Sequence, residues 1–105
     1  MSDYQIMRLD AAPRVPFKFD GRILFSSDRF EMVHLSLDPG ASMELHTQPF
    51  DVVFYLSEGS GILIIGIEEL EIQSETSVMV QAGVTRAWKN NGKGVIKILV
   101  CKLKE

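Results

Sequence analysis

Turn-forming residues recur along this chain every 8 to 12 residues or so, and this spacing limits the possible folds more than any other feature. The turns read FDGR at 19, SSDR at 26, DPGA at 38, SEGSG at 57, IEEL at 67, QSET at 73, QAG at 81 and KNNGKG at 89. The segments between them are short and rich in Val, Ile, Phe and Tyr, which favour half-buried strands. No window shows the apolar stripe of an amphipathic helix. We therefore predict an all-β fold of about eight to ten short antiparallel strands, in a sandwich or barrel.

Composition and length exclude several classes of protein. The chain has 105 residues, enough for one domain spanning 1–105, and a net charge of -3 without any block of basic residues. Binding to nucleic acid or to an anionic membrane is therefore not expected. The apolar run GILIIGI is far shorter than the roughly 20 residues of a membrane helix. Cys101 is the only cysteine and the first ten residues lack a signal-peptide pattern, so we expect a cytoplasmic protein.

Two groups of residues have a regular spacing between position 37 and the end of the chain. The first comprises Gly40, His46, Gln48, Val52 and Gly59, and the second comprises Glu75, Gln81, Gly83, Arg86 and Asn90. In spacing, both groups resemble the two sequence motifs of the cupin superfamily. The resemblance covers 37–105 and implies a double-stranded β-helix, the cupin jelly-roll barrel. It places the two-motif core at 37–103 and leaves 1–20 as an N-terminal arm or strands.

The departures from the cupin motifs fall on the chemistry. The resemblance implies that four positions converge on one divalent ion, and here they hold His46, Gln48, Val52 and Arg86. Only His46 is an ordinary metal ligand. Asp51 would replace the missing ligand only if a bulge intervened, because strand side chains alternate and it would point outward if Val52 points inward. A guanidinium about 4 Å from the ion would add roughly 8 kcal/mol of repulsion at an effective dielectric of about 20. We therefore expect a degenerate metal site and no cofactor, with a divalent ion left as an alternative.

Arg86 needs a partner, because a buried guanidinium without one costs several kcal/mol. One interpretation is an internal ion pair with Glu44, which would lie in phase with His46 on a regular strand. A second is a bound carboxylate, phosphate or enolate, which Arg86 would hold together with Gln48 and His46. A third is an Arg86 side chain that reaches solvent. The sequence leaves all three open.

His46 and Trp88 each allow two interpretations. Beside Arg86, a neutral His46 is a candidate general base, and some cupins that resemble this architecture work through such a base without metal. The alternative is a hydrogen-bonded histidine in a pocket without turnover. Trp88 is in phase with Arg86, so it either stacks on a ligand or packs in the core.

Our prediction is a small-molecule-binding cupin whose ligand is an anion, with catalysis left open. The alternatives are a metal-dependent dioxygenase or isomerase using His46 and Gln48, and a non-catalytic sensor or structural barrel. Small cupins usually pair as homodimers, and the edges of a small sheet need covering in any case. We therefore expect a homodimer, with Phe30, Met32 and Met43 as candidate interface residues, although a role in the core explains each equally well.

Overall fold

A computed structural model describes residues 3–16 and 18–104 of the chain. Residues 1, 2, 17 and 105, which belong to the predicted domain and its N-terminal arm, lie outside the described part. The strands are β1 (Asp20–Ser26), β2 (Phe30–Leu37), β3 (Asp51–Glu58), β4 (Gly61–Ile65), β5 (Glu68–Ile72), β6 (Thr76–Val80), β7 (Arg86–Lys89) and β8 (Ile96–Leu103). One short 3-10 helix, Leu9–Ala11, precedes them. Within the described ranges, no helix is long and apolar enough to cross a membrane.

The strands form two antiparallel sheets that face each other. The larger sheet has the order β1-β2-β8-β3-β6 and the smaller one has the order β5-β4-β7. In the larger sheet β1 and β2 pair as consecutive strands, whereas β2 and β3 both pair with β8, which is distant along the chain. The prediction of an all-β fold with antiparallel strands is confirmed.

Buried and more exposed residues alternate along the strands, and the buried ones form the core between the two sheets. In β2, Val33, Leu35 and Leu37 are buried, while the residues between them are half-buried on the outer face. Burying apolar side chains of this size contributes roughly 1.5–3 kcal/mol each.

The backbone at position 59 requires a glycine. Gly59 has a φ of 85°, and a Cβ there would lie 2.9 Å from the carbonyl oxygen of Val95. Only glycine meets both conditions without strain.

Two sequence-based expectations about the strands are wrong. The segment 42–48 is not a continuous strand but touches β7 through two isolated bridges, Ser42 to Lys89 and His46 to Arg86. Conversely, β5 forms at the edge of the smaller sheet, where the two glutamates of IEEL had suggested only a turn. Charged residues are well tolerated there because an edge strand is solvated along one side.

Candidate functional site

A cavity of about 520 Å³ lies between the two sheets. The larger sheet supplies an apolar wall that includes Val33, Leu35, Val52 and Phe54. Polar side chains come from the segment 42–48 and from the start of β7. One side of the cavity is therefore apolar, and the other combines polar side chains with Met43 and Leu45, which is typical of sites for small organic molecules.

The segment 38–50 carries His46 and Gln48 to the cavity along the edge of β7. Backbone hydrogen bonds join His46 and Arg86 in both directions, at 3.0 and 2.9 Å. Between the bridges at Ser42 and His46 this segment contains one residue more than β7 does, which is the pattern of a β-bulge. Pro39 and Pro49 lie near the two ends of this segment and cannot donate ladder hydrogen bonds. His46 and Arg86 are consequently direct cross-strand neighbours.

Arg86 is the most unusual side chain of the site, because it is 0% exposed. Its Nε donates to the carbonyl oxygen of Val84 at 2.8 Å and its Nη2 donates to that of Gln81 at 3.1 Å. Nη1 is buried and has no hydrogen-bond partner among the described residues. Burial lowers the pKa of this guanidinium below its ordinary range, but an arginine still stays charged at physiological pH.

The internal partner considered for Arg86 is not found. Within residues 3–16 and 18–104, no carboxylate lies within 4.0 Å of the Arg86 guanidinium, so Glu44 makes no ion pair with it. The extra residue at the bulge explains this, because Glu44 and His46 do not lie on a regular strand. Glu44 is instead an exposed residue in the wall of the cavity. The third interpretation, an Arg86 that reaches solvent, also disagrees with its complete burial.

His46 is half-buried in the cavity wall, and one of its ring nitrogens is held by the backbone. Nδ1 lies 3.2 Å from the carbonyl oxygen of Glu44. A carbonyl only accepts hydrogen bonds, so Nδ1 carries the proton and, in a neutral ring, Nε2 is the basic nitrogen. Nε2 has no hydrogen-bond partner among the described residues. The side-chain amide of Gln48, also in the wall, makes no hydrogen bond within the same part of the chain.

Trp88 is not brought to the cavity wall. Its side chain is buried in the core and meets Phe54 edge-on, with ring centroids 5.6 Å apart and an angle of 79° between the rings. Phe54 itself lines the cavity. The core interpretation therefore describes the position of Trp88, and a direct contact with a ligand does not fit it.

Sequence reasoning missed a cluster of three charged side chains, Glu31, Lys102 and Lys104, one of which lines the cavity. Lys102 lines the cavity, and its Nζ lies 3.2 Å from Oε2 of Glu31. Lys104 holds the other oxygen of Glu31 at 3.3 Å. Burial by itself would raise the pKa of Glu31, but hydrogen bonds and attraction from Lys102, with further hydrogen bonds from Lys104 and Ser26, lower it overall. One carboxylate is thus shared by two lysines, and the cluster keeps a net positive charge.

The sequence did contain a signal for the pair of Lys102 and Glu31. In β8, Ile96, Ile98 and Val100 are buried and Lys102 follows at the same alternation. In β2, Glu31 stands in the same relation to Val33. A charged residue on the apolar face of a strand near its end indicates a position at the mouth of a barrel. Lys18, the remaining cation of the wall, lies in an irregular segment and has no such signal.

The residues at the four positions implied as metal ligands do not fit a divalent ion. His46 is the only common ligand among them, and Val52 offers no donor atom. Val52 faces the core between β6 and β8, and its cross-strand partner in β8 is Lys102. Asp51 lies on the opposite face and accepts a hydrogen bond from the backbone of Ala82 at 2.9 Å. Among the described residues, no group of three or more His, Cys, Asp or Glu side chains is placed to hold a metal.

Comparison with solved structures finds the same architecture in proteins of low sequence identity. A protein from Thermus thermophilus, TT1209, is 24% identical over 96% of this chain and 98% of its own, with a TM-score of 0.81. A predicted oxalate decarboxylase from Thermotoga maritima is 16% identical over 96% of this chain and 100% of its own, with a TM-score of 0.83. The polyketide cyclase RemF from Streptomyces resistomycificus is 16% identical over 97% of this chain and 80% of its own, with a TM-score of 0.84. At these identities the likeness establishes the fold.

The family comparison covers most of the chain. A family model described as "Cupin domain" matches residues 33–101, a range that includes both motif groups. A search of curated proteins gave no match. A further structural neighbour, from Klebsiella pneumoniae, is described as having a double-stranded β-helix domain, and its TM-score is 0.83 at 11% identity over 97% of this chain and 91% of its own. On this combination of motif spacing, family match and fold, the chain belongs to the cupin family.

Proposed function

We propose that this cupin binds a small anionic molecule in the cavity between its sheets, and that the metal site of the family is degenerate in it. The observation that carries the proposal is Arg86, a fully buried cation in the cavity wall with one unpaired nitrogen. Two backbone carbonyls solvate the guanidinium only in part. An uncompensated buried charge costs several kcal/mol, and a bound anion would remove that cost.

The charges around the cavity support the same proposal. Lys18, Arg86 and Lys102 line it, against the single carboxylate of Glu44. The chain as a whole carries a net charge of -3, so the charge of the cavity lining is opposite in sign to the net charge of the protein. A carboxylate or phosphate oxygen accepts strongly from a guanidinium N–H, and Nη1 of Arg86 is the nitrogen without a partner among the described residues. Because Arg86 has no exposed surface, a ligand reaches Nη1 only when neighbouring side chains change rotamer, which is common on binding.

A role for His46 in proton transfer is consistent with this site but secondary to binding. The carbonyl of Glu44 fixes Nδ1 as the donor, so Nε2 is free to accept a proton or a hydrogen bond. The adjacent Arg86 would stabilise negative charge on a ligand that loses a proton. We therefore keep His46 as the candidate general base and Gln48 as a polar contact.

Thermal melting with a panel of carboxylates and phosphates tests the proposal. A ligand at 100 times its Kd adds about 2.7 kcal/mol, which raises the Tm of a domain of this size by roughly 10 °C. We expect Arg86→Met to lose this rise, and Arg22→Met to keep it. Arg22 is a matched control because it is a partly buried arginine on β1 that bonds to Asp20, away from the cavity.

The variant also separates a ligand-binding Arg86 from a structural one. Replacing a buried charge with an apolar side chain of similar length is often neutral or stabilising, so Arg86→Met should unfold at the same or a higher temperature than wild type without ligand. A large loss of stability with an unchanged response to anions would favour a structural barrel. Stoichiometric metal in protein purified without an affinity metal column, lost in His46→Ala, would favour the metal-dependent enzyme.

We also propose that two copies of this chain pair through the outer face of the larger sheet. Met32, Cys101, Val53 and Met79 are successive cross-strand partners, so their side chains form one apolar row on that face. Met79 is 52% exposed. Of the interface residues suggested by the sequence, Met43 lines the cavity instead. A cytoplasmic location stays a prediction.

A further inference from the structure

The cavity is too large and too apolar to be matched by a small inorganic anion. Its volume of about 520 Å³ falls within the range of roughly 300–1,000 Å³ that is typical for organic ligands. The larger sheet contributes Val33, Leu35, Val52, Phe54 and Val100 to its wall. A phosphate ion next to Arg86 would leave this apolar surface in contact with water.

One side chain at the cavity points to an apolar body in the ligand. Leu45 lies in the wall directly before His46 and is 55% exposed. A large apolar side chain next to a polar cluster gains stability when a hydrocarbon group covers it. Met43, on the same segment, also lines the cavity and is only half-buried. Apolar surface therefore lies on both sides of the cavity, while the cations and His46 occupy a limited part of it.

We infer that the ligand is an organic carboxylate with an apolar body of several carbon atoms. Its head group lies with Arg86 and Lys102, and its hydrocarbon part packs between Leu45 and the wall formed by β2, β3 and β8. This inference rests on the proposed anion-binding function and adds the class of ligand to it. The three cations against one carboxylate in the wall favour a single anionic head over a neutral polar one.

A homologous series of straight-chain carboxylates tests the inference on the full chain. The Kd of acetate, butanoate, hexanoate and octanoate is measured by isothermal titration calorimetry at constant ionic strength. Each added methylene that is buried should lower the Kd by about fourfold, until the cavity is filled. Octanamide, which has the same body without the charge, should bind at least tenfold more weakly than octanoate.

A pair of variants tests whether the hydrocarbon part of the ligand lies in the cavity. We expect Leu45→Ser to weaken octanoate binding several-fold and to change butanoate binding much less. Ile67→Ser is the matched control, because Ile67 is 101% exposed in the turn between β4 and β5 and does not line the cavity. It should leave the whole series unchanged.

The outcomes distinguish this inference from the proposed function. Acetate and phosphate that bind as tightly as octanoate would overturn the apolar-bodied ligand and leave anion binding intact. Failure of every carboxylate and of phosphate to bind would overturn both. Octanoate binding that is equal to octanamide binding and unaltered in Arg86→Met would also overturn the inference, because the hydrocarbon would then adhere elsewhere.

Discussion

At the scale of single residues, Arg86 decides what the cavity can bind. The sequence identified it because an arginine stands where the cupin motif has a histidine ligand, and the structure adds that it is fully buried with Nη1 unpaired. The backbone partners of its guanidinium, Val84 and Gln81, were not predictable. They depend on the turn before β7, and only the folded chain brings these two carbonyl oxygens to the guanidinium.

Glu75 replaces the first glycine of the second cupin motif, and its backbone still adopts the conformation of a glycine. Its φ is 61°, and it is the only non-glycine residue with a positive φ in the described part of the chain. Left-handed backbone costs an ordinary residue about 1 kcal/mol or more. We expect Glu75→Gly to be more stable than Glu75→Ala by about 0.5–1 kcal/mol in urea unfolding, although glycine also loosens the unfolded chain. Equal stability of the two variants would contradict strain at this position.

At the scale of elements, the segment 42–48 limited what the sequence could predict about the site. Its alternation of apolar and polar residues suggested a regular strand, and the ion pair of Glu44 with Arg86 followed from that phase. One extra residue between the two bridges to β7 removes the phase. A bulge leaves no mark in an alternating pattern, so the pairing partner is needed to find it.

The edge strand β5 shows a different reason for an error. Leu70 and Ile72 alternate with glutamates in the manner of a half-buried strand, and Ile72 is buried. The two glutamates of IEEL had instead suggested a turn. Solvated edge strands accept such charges, and the order of strands in a sheet is not available from one sequence.

His34, in β2, should make the free energy of unfolding of the protein depend on pH. Burial, followed by the nearby Lys97 ammonium, lowers the pKa of His34 below 6.5, and Asp20 only partly opposes this. The unfolded chain then binds protons more readily than the folded one. We expect the free energy of unfolding to be full above pH 6.5 and to fall as the pH drops through the folded pKa. Urea unfolding of wild type and His34→Gln from pH 8 to 5 measures this, and identical pH slopes would exclude a contribution from His34.

At the scale of the whole molecule, the fold was predictable and the site only in part. Regular turns and two motifs at the correct spacing specified an antiparallel β fold of the cupin type, which the family match at 33–101 supports. The site depends on which side chains meet across the barrel. Lys102 illustrates this, because its alternation placed it inward but only the fold brings it beside Glu31 and the cavity.

The apolar row on the larger sheet predicts how the molecule associates. A lysine in the middle of that row would have to be buried without a partner in a face-to-face dimer. Light scattering should therefore give twice 11.8 kDa for wild type and 11.8 kDa for Val53→Lys. Glu71→Lys, on exposed β5 of the other sheet, should remain a dimer. Light scattering is usually done at micromolar protein concentrations. Wild-type protein that stays monomeric at 100 times such a concentration would rule out this pairing.

The central claim is that an anion contacts Arg86 inside the barrel. The Nε–H of Arg86 is buried and bonded to Val84 at 2.8 Å, so its proton exchanges slowly with water and should give a separate NMR signal, assigned by its absence in Arg86→Met. The protein is titrated with whichever anion raises its Tm most. We predict that this signal shifts and saturates at the same concentration as the rise in Tm. A signal that stays in place while the anion stabilises the protein would contradict the claim.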